Sequence, residues 1–189
     1  MLSAWGDESG SNRALDPGAY LLGAVILEDN RADGVRDTIC SLLLRGQRKV
    51  HWYSESNRRR DDLIRVLADL AIPGLVVTRV SGISEREERR RRKCLDVFIY
   101  ELTQMGCTNI TLESRGKKAD IRDLAFVRSQ IAHGAISPGF QLFHATGPSD
   151  PLLWLADVAV GAAVAARTGE PRWFEDLQGA FKTIVIEEI

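Results

Sequence analysis

Three acidic residues stand where chemistry is possible. Asp157 is the single charge in the run Leu152 to Ala166, LLWLADVAVGAAVAA, which reads as a helix buried on all sides. An ionised carboxylate in such surroundings is costly unless it is paired, protonated or bound to a metal. Two readings of it stay open: an acid satisfied by an arginine or a backbone amide, or a functional group. Asp7 lies at the end of the strand-like segment Leu2 to Ser9, and Glu113 ends the strand-like NITLE at 109–113. If those two strands are neighbours and the apolar helix packs across them, Asp7, Glu113 and Asp157 converge. Three carboxylates in one place repel one another and call for cations between them. Oxygen donors of this kind suit Mg²⁺ or Mn²⁺, and two such ions about 3.5–4 Å apart would activate a water for phosphodiester cleavage.

The elements that must position these acids follow from the patterning. Ala19 to Leu27, AYLLGAVIL, is a continuous apolar strand, and Pro17-Gly18 precedes it as a turn. Val35, Ile39, Leu42 and Leu43 recur at helical spacing over 31–44. Lys49 to Ser54, KVHWYS, alternates like a strand, a second amphipathic helix runs over about 57–70, and Leu75 to Val80 is a β-branched strand. Ser84 and Glu87 have capping-box spacing before a long helix to about Met105, whose apolar stripe is Cys94, Leu95, Phe98, Ile99 and Leu102. Asp120 is placed to cap a helix through Leu124, Val127 and Ile131, and a short strand at 140–144 precedes the buried helix, which Ser149, Asp150 and Pro151 can start. The tail from 171 to 189 ends in the strand-like TIVIEE, which offers an edge for pairing.

This order predicts an α/β fold with a mixed β-sheet, helices on both its faces, and an antiparallel start. It is the strand and helix order of an RNase H-like fold, provided 31–72 is a helical insertion. The whole of 1–189 is expected to form one such domain.

Composition bounds the rest. A chain that is 44% hydrophobic and 27% charged is of ordinary globular type, and a net charge of −1 gives no global attraction to nucleic acid. Three widely spaced cysteines, Cys40, Cys94 and Cys107, exclude a CxxC zinc knuckle and argue against a disulfide framework. The N-terminal residues have no basic flank or long apolar run, and the apolar run at 152–166 is too short for a membrane span. A cytoplasmic protein with no membrane association is expected.

DESG at 7–10, His51-Trp52, LES at 112–114 and LADVAVGA at 155–162 resemble the bacterial family known as domain of unknown function 3800, which is grouped with the RNase H-like nucleases and resolvases. The resemblance extends from Asp7 to about Ala166. It implies a metal-dependent nuclease with Asp7, Glu113 and Asp157 as ligands, and it raises His51 from a structural residue to a candidate proton donor or phosphate contact. Trp154 departs from the pattern, since the family often has glutamine there.

Around this centre, Ser9 and Gly10 either shape the turn or let a substrate backbone come close. Glu8 must face away from Asp7 on a regular strand. Arg115, Lys117 and Lys118 follow Glu113 at once and are candidates for substrate phosphates, with a solvated loop as the alternative. The basic runs 58–60 and 89–93 each cover too many successive positions to face one way. The sequence therefore predicts an Mg²⁺- or Mn²⁺-dependent nuclease acting on DNA or RNA. Its rival is a non-catalytic module of the same fold that binds nucleic acid or a protein partner, and a homodimer is open to either.

Overall fold

The computed structural model describes residues 1–12 and 14–188. Six strands form one mixed sheet: β1 (Leu2–Ser9), β2 (Ala19–Glu28), β3 (Gly74–Val80), β4 (Asn109–Glu113), β5 (Gln141–Ala145) and β6 (Phe181–Glu187), in the order β5-β4-β1-β2-β3-β6. β2 is antiparallel to β1 and β3, whereas β4 is parallel to β1, β5 to β4, and β6 to β3. This is an α/β fold with the mixed sheet, antiparallel start and helix-connected parallel strands that the sequence predicts.

Among the described residues, six α-helices accompany the sheet: α1 (Asp29–Cys40), α2 (Asn57–Asp69), α3 (Glu87–Gln104), α4 (Lys117–Ala132), α5 (Pro151–Arg167) and the short α6 (Arg172–Glu175). Strand alternation sorts the core into two layers. Trp5, Leu21, Val25 and Leu27 pack with α1, α2 and α5, while Ala4, Leu22, Ala24 and Ile26 pack with α3 and α4. β2 is buried along all but its last residue because both its faces are covered. α5 lies across β1 and β2 with Leu152 to Val164 entirely buried. Among the described residues, no helix is long and apolar enough to cross a membrane.

Four local expectations are corrected. Lys49 to Ser54 forms no strand: an extended approach leads into a single 3₁₀ turn at Trp52–Ser54, because Trp52 turns inward against α5. Ser84 and Glu87 build no capping box; α3 starts at Glu87 with Arg86 as its uncapped N-cap. α4 starts three residues before Asp120, after Gly116 at φ +100°, and Asp120 instead accepts from Ser114 Oγ (2.7 Å) and from the Arg115 amide (3.3 Å). The first helix of the inserted segment ends at Cys40, so Leu42 and Leu43 reach the core from a turn.

The tail is built into the fold. α6 buries Trp173 and Phe174 beside α5, and TIVIEE forms most of β6, which ends the sheet.

Candidate functional site

β1 decides which acids can meet. With a period of two, Asp7 shares the α5 face with Trp5, and Glu8 emerges on the α3 face. The parallel register Gly6↔Leu112 brings Asp7 and Glu113 out of their strands side by side. Asp157 descends from α5, the helix packed over β1. All three carboxylates lie within electrostatic reach. Burial first, then Asp157 and Glu113, push the Asp7 carboxyl up to about 8, so Asp7 holds a proton in the isolated chain near neutral pH.

Two groups from 49–54 close this cluster. Lys49 Nζ donates to Glu113 Oε1 at 2.9 Å and feels the charges of Asp157 and Asp7; despite burial, these acids hold its pKa above the usual lysine value. His51 Nδ1 lies 3.2 Å from Asp157 Oδ2, and this contact raises the imidazole pKa. The side chain is 44% exposed. The Trp52 amide donates to the same Asp157 oxygen at 2.7 Å. Asp157 therefore has a backbone amide partner, as the structural reading of that residue supposed, together with a histidine beside it.

Sequence reasoning missed Lys49 and Gly147, which shape this pocket. Gly147 has no side chain because a Cβ there would lie 2.5 Å from Glu113 Oε1 and 2.8 Å from Lys49 Nζ. Trp154 fixes that loop by donating from its indole to the Gly147 carbonyl at 2.6 Å, which gives the departing tryptophan a role of its own. Gly161 leaves the room that Trp52 fills, its Cγ lying 2.2 Å from where an added Cβ would be. The position of Lys49, two residues before the His51-Trp52 pair, was the available clue.

The remaining residues make other contacts. Asp150 caps α5 through the Leu152 amide and accepts from the Trp5 indole and from Arg36, so its role is structural. Arg115 turns to the α3 face, where it pairs with Glu8 at 2.7 Å and reaches Glu88. Lys117 and Lys118 are exposed in the first turn of α4. Ser9 Oγ accepts from the Ser11 amide, and a Cβ on Gly10 would come within 3.6 Å of the Glu87 carboxylate. Glu55 is buried and takes a hydrogen bond from Gln47, and Arg60 lies over the rings of Trp52 and Trp173, so much of the 58–60 run is spent internally.

No family model matches the chain, and no curated protein matches it. Among solved structures it is similar to the ribonuclease H2 from Pyrococcus horikoshii OT3, with 14% identity, 95% of this chain and 76% of that chain covered, and a TM-score of 0.47. It is also similar to a point mutant of Bst-RNase HIII, with 9% identity, 94% and 67% coverage, and a TM-score of 0.48.

Two strands and a helix supply carboxylates, the oxygen donors a hard divalent cation prefers, and the buried Asp7 would gain most from a positive charge, since its strongest charged neighbours are acids. Among the described residues, no three acidic, histidine or cysteine side chains stand in ready ligating geometry. Lys49 and the Trp52 amide engage the oxygens that a metal would use.

Proposed function

We propose that this chain is a Mg²⁺- or Mn²⁺-dependent nuclease that hydrolyses phosphodiester bonds in DNA or RNA. The observation that carries this reading is the meeting of Asp7, Glu113 and Asp157 from three separate elements, which leaves Asp7 buried among like charges. These three residues would hold the metal, and the resemblance in the DESG and LADVAVGA segments points to the same positions. A metal bound there supplies an activated water and stabilises the leaving oxygen.

The chain's own groups have separate tasks. Asp7 must give up its proton before it can ligate, so ligation strengthens as pH rises. Asp157 fixes the His51 ring through Nδ1, which leaves Nε2 to hand a proton to the leaving oxygen. Lys49 neutralises Glu113 until a cation takes its place, after which its ammonium is free for a substrate phosphate.

The test is cleavage of end-labelled DNA, RNA and DNA–RNA hybrid duplexes with and without Mn²⁺. Wild type is expected to cut at least one of these only with the metal, and Asp7→Asn to lose at least about a hundredfold in rate, the scale of removing a key electrostatic group. Absence of metal-dependent cutting, or equal cutting by the variant, would leave the cluster as a structural polar site.

A further inference from the structure

A cavity of about 830 Å³ lies between α3 and α4, on the face of the sheet opposite the carboxylates. Its floor is an ion pair: Arg91 and Asp123 are both buried and joined by two hydrogen bonds of 2.7 Å. Arg86, Arg89, Arg92 and Arg122 stand around that floor. Arg89 reaches Glu85, but Arg86, Arg92 and Arg122 have no acidic partner among the described residues. Arg92 is nonetheless held, with its guanidinium carbon 4.3 Å from the centre of the Phe126 ring, so its N–H donors stay unspent.

The acids of the lining cannot absorb this charge. Asp123 is taken by Arg91 and by His144, Glu88 by Arg115, and Glu188 by the Gly82 amide. Glu85 is shared among Arg79, Arg89 and Lys93. α3 begins at this cavity with no side chain capping its first turn. Three uncommitted guanidinium groups converging on one concavity make a site for an anion with several oxygens, and arginine forks match phosphate. The volume is in the range of small-molecule pockets, and Leu95 and Phe126 add an apolar wall.

We propose that this cavity binds a nucleotide, its phosphates on Arg86 and Arg122 and its base against the Arg92–Phe126 stack. The concave shape and buried floor suit a compact ligand better than a continuous strand. The site is independent of the carboxylate cluster and does not need the nuclease reading to hold.

The test is calorimetric titration of the full chain with ADP in excess EDTA, which keeps metal from the carboxylates, with a short DNA duplex as the comparison. Wild type is expected to bind ADP. Arg92→Ala/Arg122→Ala changes only exposed side chains and should weaken binding about tenfold or more, the scale of losing one or two charge-assisted hydrogen bonds, while its circular dichroism stays that of wild type. Asp7→Asn should bind ADP as wild type does, which separates this outcome from the fate of the nuclease reading. No ADP binding, equal affinity in the double variant, or binding of the duplex alone would each overturn the proposal.

Discussion

Gly161→Ala tests how tightly the segment that closes the acid cluster is held. An added Cβ would sit 2.2 Å from Trp52 Cγ, 2.4 Å from Cδ1 and 2.8 Å from Cβ, all inside contact distance. Trp52 cannot retreat easily: it is 2% exposed, its ring meets Trp173 at 5.2 Å between centroids, and Arg60 covers it at 5.0 Å. Two effects oppose each other. Alanine gains about 1 kcal/mol over glycine inside a helix. Overpacking a filled core costs about 1–3 kcal/mol, and three clashing atoms of one fixed side chain place this case at the upper end. The net loss is then about 2 kcal/mol, which lowers Tm by about 4–8 °C in a chain of this length. Gly34→Ala is the control of opposite sign, because Gly34 is an exposed residue of α1 with nothing near its added Cβ, and it should gain up to about 1 kcal/mol. Thermal and urea unfolding of both variants measure the difference. A Gly161→Ala protein as stable as wild type would refute the packing of Trp52 against α5.

Other outcomes follow from particular contacts. Arg91→Met removes the cation that Asp123 and Glu8 share, leaving Asp123 beside His144 and Glu8 on Arg115, and should cost about 3 kcal/mol in urea unfolding, the lower end for breaking a buried pair; a loss under 1 kcal/mol would mean the pair is solvated. Glu85 is partly buried, but Ser81, Lys93 and Arg79 together draw its carboxyl down to about 2. A depressed acid stabilises the fold above its unfolded pKa and loses that contribution as pH falls, so Glu85→Gln should flatten the acid limb of Tm between about pH 4.5 and 2. Lys49→Met removes the ammonium that competes for Glu113 and should tighten Mn²⁺ binding in calorimetry; unchanged or weaker binding would place Lys49 outside the metal's path.

The parts of the fold that were legible rest on short-range periodicity. A period of two is enough to put Asp7 and Glu8 on opposite faces, and the α3 stripe from Cys94 to Leu102 is buried as its spacing requires. The all-round apolar run at 152–166 likewise marks the central helix. What local pattern could not give is where long-range closure sends a segment. KVHWYS alternates like a strand, yet Trp52 is drawn inward by the space that Gly161 leaves, more than a hundred residues on. Arg115 lies two residues after Glu113, but Glu8 on the far face attracts its guanidinium. Lys49 enters the acid cluster only because Gly147 has no side chain, a condition that no window around residue 49 contains. β6 finds β3 as its parallel partner across a hundred residues, and its own sequence specifies only that it is a strand.

The most direct test of the account is a crystal soaked in Mn²⁺ and measured at the manganese absorption edge. An anomalous peak is expected among the carboxylates of Asp7, Glu113 and Asp157, with oxygens about 2.1 Å from the metal and Lys49 Nζ drawn off Glu113. A crystal in which Lys49 keeps its contact with Glu113 and no manganese lies between Asp7 and Asp157 would contradict it.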